Sequence, residues 1–318
     1  MSINTLSFLR NLENQAPIDE ATWFEAWPKL SSHRIAGYVA SRHEPLIPDQ
    51  AKASFKAAAT EQSLFNSLLL DECLNLETVA LKNGLNSLAR LKGSSLIFEI
   101  YKHFGERHMT DIDLYVDERE EPSFRQILAN LGYTLMPQIF WQANDFKKTY
   151  ERRHESGLMF YIDLHTRLFW QQPARAKIEF EVAKYTIENG LALRFRTLKK
   201  EWQLAHLISN WAYQDTFISL SKLLDIVLFL RKYPQLSESR EFIKCLHDSN
   251  LQASAKWVMM AVDIFKTGRS HSRIFTEEFL DAPKKHKFKY LLMKHLTKNK
   301  LTQAFEYDAR WVKAYLFS

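Results

Sequence analysis

The stretch Thr110-Asp111-Ile112-Asp113-Leu114-Tyr115-Val116 decides how the chain is read. Ile112, Leu114 and Val116 alternate with Asp111, Asp113 and Tyr115, the period of a strand with one face in a core. Residues two apart on a strand share a face and stand roughly 7 Å apart along the chain. Asp111 and Asp113 are therefore expected side by side on one rigid surface, where their charges repel. A divalent cation removes that cost. Oxygen ligands on a rigid element suit Mg²⁺, which takes one or two carboxylates and completes its shell with water and substrate phosphate. A solvated acidic pair neutralised by Arg107 would satisfy the same pattern, so the neighbouring segments have to separate the two readings.

Upstream, Ser87 to Leu91 reads as a short strand, and a helix is predicted from Ser95 to Phe104. Between them lies Lys92-Gly93-Ser94-Ser95. Gly93 permits close backbone approach, and amides at a helix start can receive a phosphate. Ser94 can add a hydroxyl donor and Lys92 a charge. A plain turn with a serine cap fits the same residues. Arg107, just before the acidic strand, has the fork geometry for nucleotide phosphates, and could equally neutralise Asp111.

Downstream, a helix over Glu121 to Leu131 stops at Gly132, and strands are predicted over Tyr133–Pro137, Phe146–Arg152 and Leu158–His165. In the last of these, Ile162 and Leu164 point one way and Tyr161, Asp163 and His165 the other. If this strand lies beside Asp111–Val116, Asp163 brings a third carboxylate to the same face. Two-metal phosphoryl transfer uses such a group to bind the second ion and orient the attacking hydroxyl. A strand-end aspartate paired with His165 or Arg167 is the competing reading. His165 can tune Asp163 or touch substrate.

The run LKGSSLIFEIYKHFGERHMTDIDLYV, over 91–116, resembles the uncharacterised nucleotidyltransferase-like family of the polymerase-β-like nucleotidyltransferase superfamily. The later Ile162-Asp163-Leu164-His165, and Leu198 to Arg231 with Trp202, His206 and Asp225, also resemble that family. The resemblance spans roughly 55–235. It implies an α+β fold: a small mixed nucleotidyltransferase-type sheet with flanking helices, plus N-terminal and C-terminal helical regions. It puts Gly93 and Ser94 at a phosphate-binding turn, with Lys92 and Arg107 as further nucleotide-binding candidates. It puts Asp111 and Asp113 at the metal-binding pair and Asp163 at the third carboxylate, so that these three are both the catalytic and the metal residues. The implied chemistry is transfer of a nucleoside monophosphate from an NTP, with two Mg²⁺ ions, to an acceptor hydroxyl. The acceptor is unspecified: a small molecule, a protein or RNA. A toxin-like enzyme that modifies tRNA, and a catalytically silent nucleotide-binding or scaffold protein of the same fold, remain as alternatives. Lys92 before the Gly-Ser, and a long spacing from Gly-Ser to Asp-x-Asp, depart from the shortest superfamily members.

The flanks are helical. Asp19 can cap a helix carrying Trp23, Phe24 and Trp27, and apolar residues at spacings of three and four predict a long helix from about Asp49 to Lys82, stopped by Asn83-Gly84. Beyond residue 170 the chain reads as helices apart from one strand, Leu191–Leu198. The expected division is 1–85 helical, 86–198 α/β core and 199–318 helical. Trp202 and His206 read as core packing, and Asp225 on an apolar helix face as structural.

The 318 residues are 46% hydrophobic and 25% charged, ordinary globular values that argue against disorder. Only 8 are glycine, which argues against a turn-rich sandwich or propeller. A net charge of +6 and a pI near 9.1 favour anionic partners. The basic, aromatic-interleaved run over 284–298 reads as the solvated face of a helix, with RNA binding as the other reading. Cys73 and Cys245 form no zinc motif and read as reduced buried thiols. MSINTLSFLRNLENQ has neither a basic leader nor a long apolar core, and no apolar run approaches the roughly 20 residues that span a bilayer. The expectation is a cytoplasmic protein with no membrane partner.

Overall fold

The computed structural model describes residues 4–137, 146–169, 177–186, 192–214, 219–270 and 280. The basic run over 284–298 lies outside them. Three helices open the chain: α1 (Thr5–Glu13), α2 (Glu20–Ser32) and α3 (Ala36–His43). Asp19 caps α2 as expected, its carboxylate accepting from the amide of Thr22 at 2.9 Å. Helix α4 runs from Asp49 to Lys82 and is closed by Asn83 and a left-handed Gly84 (φ +77°).

Seven strands form one mixed sheet: β1 (Ala89–Arg90), β2 (Ile112–Tyr115), β3 (Thr134–Leu135), β4 (Lys147–Arg153), β5 (Met159–His165), β6 (Phe180–Thr186) and β7 (Ala192–Leu198). Their spatial order is β3-β4-β5-β2-β1-β7-β6. β2 pairs with β5, and β1 with β7, in parallel; the other pairs are antiparallel. Helix α5 (Lys92–Glu99) follows β1 and α6 (Glu121–Asn130) follows β2. With the flanking helices this is the α+β architecture expected from the sequence.

Two details differ. Helix α5 begins at Lys92, not Ser95, so Gly93 and Ser94 lie inside its first turn. It also ends at Glu99 instead of Phe104. The Glu106 carboxylate, which accepts from the Lys102 amide at 3.1 Å, folds the following segment into a separate turn. Strand β6 was not expected at all. Its outward Val182 is 58% exposed while Ala183 is buried, so it carries little of the usual apolar alternation, and antiparallel pairing with β7 makes it a strand.

The C-terminal described helices are α7 (Lys200–Ser209), α8 (Leu220–Lys232), α9 (Arg240–Asp248) and α10 (Gln252–Thr267). They share one hydrophobic core with the N-terminal helices, joining Leu6, Trp23 and Phe55 to Leu207, Ile226 and Val258. A second core lies between the sheet, α4 and α6, around Leu69, Leu76, Ile112, Phe124 and Ile162. None of the described helices is long and apolar enough to cross a membrane.

Glu13 ties the N-terminal helices to α8. It accepts from Tyr38 at 2.6 Å, from His43 at 3.2 Å and from Arg231 of α8 at 2.7 Å. Burial alone would push this carboxyl up, but the bonds from His43, Tyr38 and Arg231 overcome it and hold the pKa at about 2. A depressed carboxylate pKa adds stability that is complete above the unfolded value of 4.5 and is lost as pH falls towards 2. Urea unfolding of wild type and Glu13→Gln should therefore show a stability difference at neutral pH that shrinks across this interval. A difference that stays constant down to about pH 2 contradicts the assignment.

Backbones meet where the turn over Phe104–Glu106 packs against α3 and α4. A Cβ on Gly37 would stand 2.1 Å from the Gly105 carbonyl oxygen, and one on Gly105 would stand 2.5 Å from the Ala59 carbonyl oxygen. Neither neighbour is a side chain that can swing away. Gly37→Ala should cost about 3 kcal/mol in overpacking, against the roughly 1 kcal/mol that alanine gains over glycine inside a helix. A clear fall in Tm is expected, and an unchanged or raised Tm contradicts the close approach.

Candidate functional site

The site is built on the parallel pair β2 and β5. Ile112 and Leu114 face Ile162 and Leu164 in the core, all at most 1% exposed. That burial fixes the register, because a one-residue slip would turn the apolar set to the other face. In this register Asp113 is the direct partner of Asp163, and Tyr115 of His165. The alternation therefore puts Asp113, Asp163 and His165 on one face of the sheet. Asp111 lies one residue before β2 begins.

The carboxylates are well furnished with donors. Asp113 Oδ1 accepts from Lys92 Nζ at 2.6 Å and from His165 Nε2 at 3.0 Å. Asp163 accepts from Thr149 Oγ1 at 2.6 Å and forms an ion pair with Lys147. Asp113, Asp163 and His165 are all buried. One ligand atom from each lies within 4.8 Å of the others.

The electrostatics follow from this crowding. Burial pushes the Asp111 carboxyl up, and the charges of Asp113 and Asp163 push it further, to about 6. Burial acts on Asp113 too, but Lys92, the His165 hydrogen bond and Lys147 hold it well below the usual carboxylate range. Burial lowers the His165 pKa, partly opposed by Asp113. The imidazole is thus neutral, and Nε2 carries the proton because an ionised Asp113 can only accept.

The donor set suits a divalent cation. Two buried carboxylates and an imidazole converge, a third carboxylate is close enough to have its pKa raised by them, and lysines are needed to offset the charge. Asp113, Asp163 and His165 can hold a metal ion.

The phosphate-turn candidates are arranged differently from the expectation. Leu91 caps α5 without any side-chain bond, and Lys92 has left-handed backbone (φ +44°). The Ser94 hydroxyl turns inward and donates to the Leu91 carbonyl at 3.0 Å. Ser95 bonds Thr197 at 2.8 Å. A Cβ on Gly93 would stand 2.4 Å from a guanidinium nitrogen of Arg107, so a larger residue there would have to shift that side chain.

Arg107 is engaged by a carboxylate from the helical region. It is clamped by Asp225 of α8, Nε to Oδ1 at 3.0 Å and Nη2 to Oδ2 at 2.9 Å, and Tyr101 donates to the same Oδ1 at 2.5 Å. The buried polar residue Asp225 on an apolar helix face was the sequence signal for this partner.

Three participants escaped the sequence reading. Lys147 and Thr149 lie on β4, where they pair across the strands with His165 and Asp163. Their alternation was legible, but only the sheet order brings β4 against β5. His206 was read as core packing; it is buried on α7, with its ring 6.3 Å from that of His165. Among the described residues, His206 Nε2 and His165 Nδ1 have no hydrogen-bond partner.

No curated protein sequence matches the chain. Among solved structures it is similar to an antigenic nucleotidyltransferase-like protein from Paracoccidioides brasiliensis, at 15% identity and TM-score 0.35, over 60% of this chain and 91% of that one. It is also similar to the antibiotic-resistance factor ANT(2'')-Ia, at 11% identity and TM-score 0.30, over 72% of this chain and 97% of that one. Residues 19–265 match the family described as uncharacterised nucleotidyltransferase, a span that holds the whole carboxylate site, and the chain belongs to that family.

Proposed function

We propose that the protein is a metal-dependent enzyme that transfers a nucleoside monophosphate from an NTP to an acceptor hydroxyl. The observation that carries this reading is the in-register pairing of Asp113 with Asp163, which sets two buried carboxylates and His165 on one face beside Asp111. Asp111, Asp113 and Asp163 would hold two Mg²⁺ ions, with His165 holding the Asp113 carboxylate by its Nε2 proton. Ions bound there would neutralise triphosphate charge and ease deprotonation of the acceptor hydroxyl. Asp163 would orient that hydroxyl. Lys92, with the amides of Gly93 and Ser94 at the start of α5, would receive phosphate oxygens. Arg107, fixed by Asp225 behind Gly93, would hold the turn in place from below.

A second reading is a catalytically silent nucleotide-binding protein. The inward Ser94 hydroxyl favours it, because that side chain offers nothing to a phosphate in this arrangement. Incubation with NTPs labelled at the α-phosphate, Mg²⁺ and separate small-molecule, RNA and protein fractions distinguishes the two. Label transferred to one fraction and lost with EDTA supports the enzyme. Nucleotide binding without transfer to any fraction supports the silent protein.

A further inference from the structure

Lys92 and Lys147 reach the acidic site from its two flanks. Lys92 is the first residue of α5, directly after β1, which borders β2; Lys147 begins β4, which borders β5. Lys92 holds Asp113 Oδ1 at 2.6 Å, and Lys147 pairs with Asp163. Both lysine side chains are mostly buried, at 10% and 25% exposure. Lys92 also keeps a left-handed backbone, which a non-glycine residue adopts at a cost of about 1 kcal/mol.

These ammonium groups occupy the same carboxylate atoms that a divalent cation would use. The site holds Asp111, Asp113 and Asp163 against Lys92 and Lys147, leaving one negative charge uncompensated. A divalent cation entering there makes the lysine charges surplus, and a surplus buried ammonium needs a new anion. A polyphosphate is an anion of the right kind, and the uncapped start of α5 beside Lys92 offers it amides.

We propose that Lys92 and Lys147 are exchange cations. They neutralise Asp113 and Asp163 in the metal-free protein, and they pass to the triphosphate when metal takes those carboxylates. Lys147 thereby becomes a phosphate-binding residue on β4. The proposal rests on the reading that the acidic site takes metal together with a nucleotide. It requires metal and nucleotide to bind in a coupled way, each improving the site for the other.

Substitution of Lys147 separates this from a structural ion pair. Mn²⁺ binding is read by the electron paramagnetic resonance of the free ion. Nucleotide binding is read calorimetrically with a non-hydrolysable NTP analogue, with Mn²⁺ and with EDTA. In Lys147→Gln, Mn²⁺ alone should bind about fivefold to tenfold tighter, because a competing cation is gone, while the analogue with Mn²⁺ should bind about tenfold weaker. Lys147→Arg should keep analogue affinity within a few-fold of wild type. Unchanged Mn²⁺ affinity, or a fall in both affinities together, overturns the exchange. Should Lys147→Gln not fold, Asp163→Asn reports from the other side: the released Lys147 should give analogue binding in EDTA that wild type lacks, and no binding there overturns the proposal. Wild type that binds neither Mn²⁺ nor the analogue removes the proposed function as well, a result distinct from wild type that binds both without the opposed response.

Discussion

Asp113→Asn should lower nucleotidyl transfer by about a thousandfold or more, since metal-assisted stabilisation of a phosphoryl transition state is worth several kcal/mol. The size of the effect follows from where Asp113 sits. It is the carboxylate shared by Lys92, by His165 and by any cation held with Asp163. Asparagine preserves the volume but removes the charge, and its amide offers one oxygen where the carboxylate offers two. The fold should survive. The asparagine amide oxygen can still accept from Lys92 Nζ or His165 Nε2, and the change removes one of the two charges that push up the Asp111 carboxyl. The checks are transfer of labelled NMP and a thermal melt of the same preparation. A variant that melts like wild type and retains more than about a tenth of the activity would contradict the site.

Asp225→Ala should cost about 3–5 kcal/mol of stability, the cost of leaving a buried charge without its partner. The guanidinium of Arg107 is bound by both Asp225 oxygens and, among the described residues, has one further weak hydrogen bond, 3.4 Å to the carbonyl of His108. Tyr101, buried in the same place, loses its acceptor too. The clamp joins α8 to the segment just before β2, so the helical core and the sheet should loosen together. Arg107→Met combined with Asp225→Leu leaves no charge stranded and should recover much of the loss, as apolar replacement of whole buried pairs does elsewhere. Urea unfolding measures both. A loss below about 1 kcal/mol for Asp225→Ala would mean that water reaches the pair freely.

What could be read from the chain alone divides along physical lines. The strand pair β2 and β5 was legible because burial of Ile112, Leu114, Ile162 and Leu164 enforces strict alternation, and alternation assigns each aspartate to a face. The long helix α4 was legible for the same reason at a different period. β6 was hidden because Val182 faces outward, leaving too little pattern to see. Arg90 was hidden more deeply. It sits in a strand of apolar neighbours at 1% exposure, with Glu77 at 2.6 Å and Phe195 under its guanidinium at 4.3 Å. No local pattern announces a buried arginine whose partners come from α4 and β7. Lys147 and Thr149 belong to the same class, since their role depends on which strand lies beside which. The partner of Arg107 was hidden because phosphate and carboxylate present the same geometry to a guanidinium, and only the fold brings Asp225 against it.

The proposed function requires Asp113 and its in-register partner Asp163 to bind nucleotide through metal. Isothermal titration of a non-hydrolysable NTP analogue with Mg²⁺, into wild type and into Asp113→Asn, is the decisive measurement. Wild type should bind the analogue, and the binding should disappear with EDTA and in the variant. Equal binding by both proteins, with and without Mg²⁺, would contradict it.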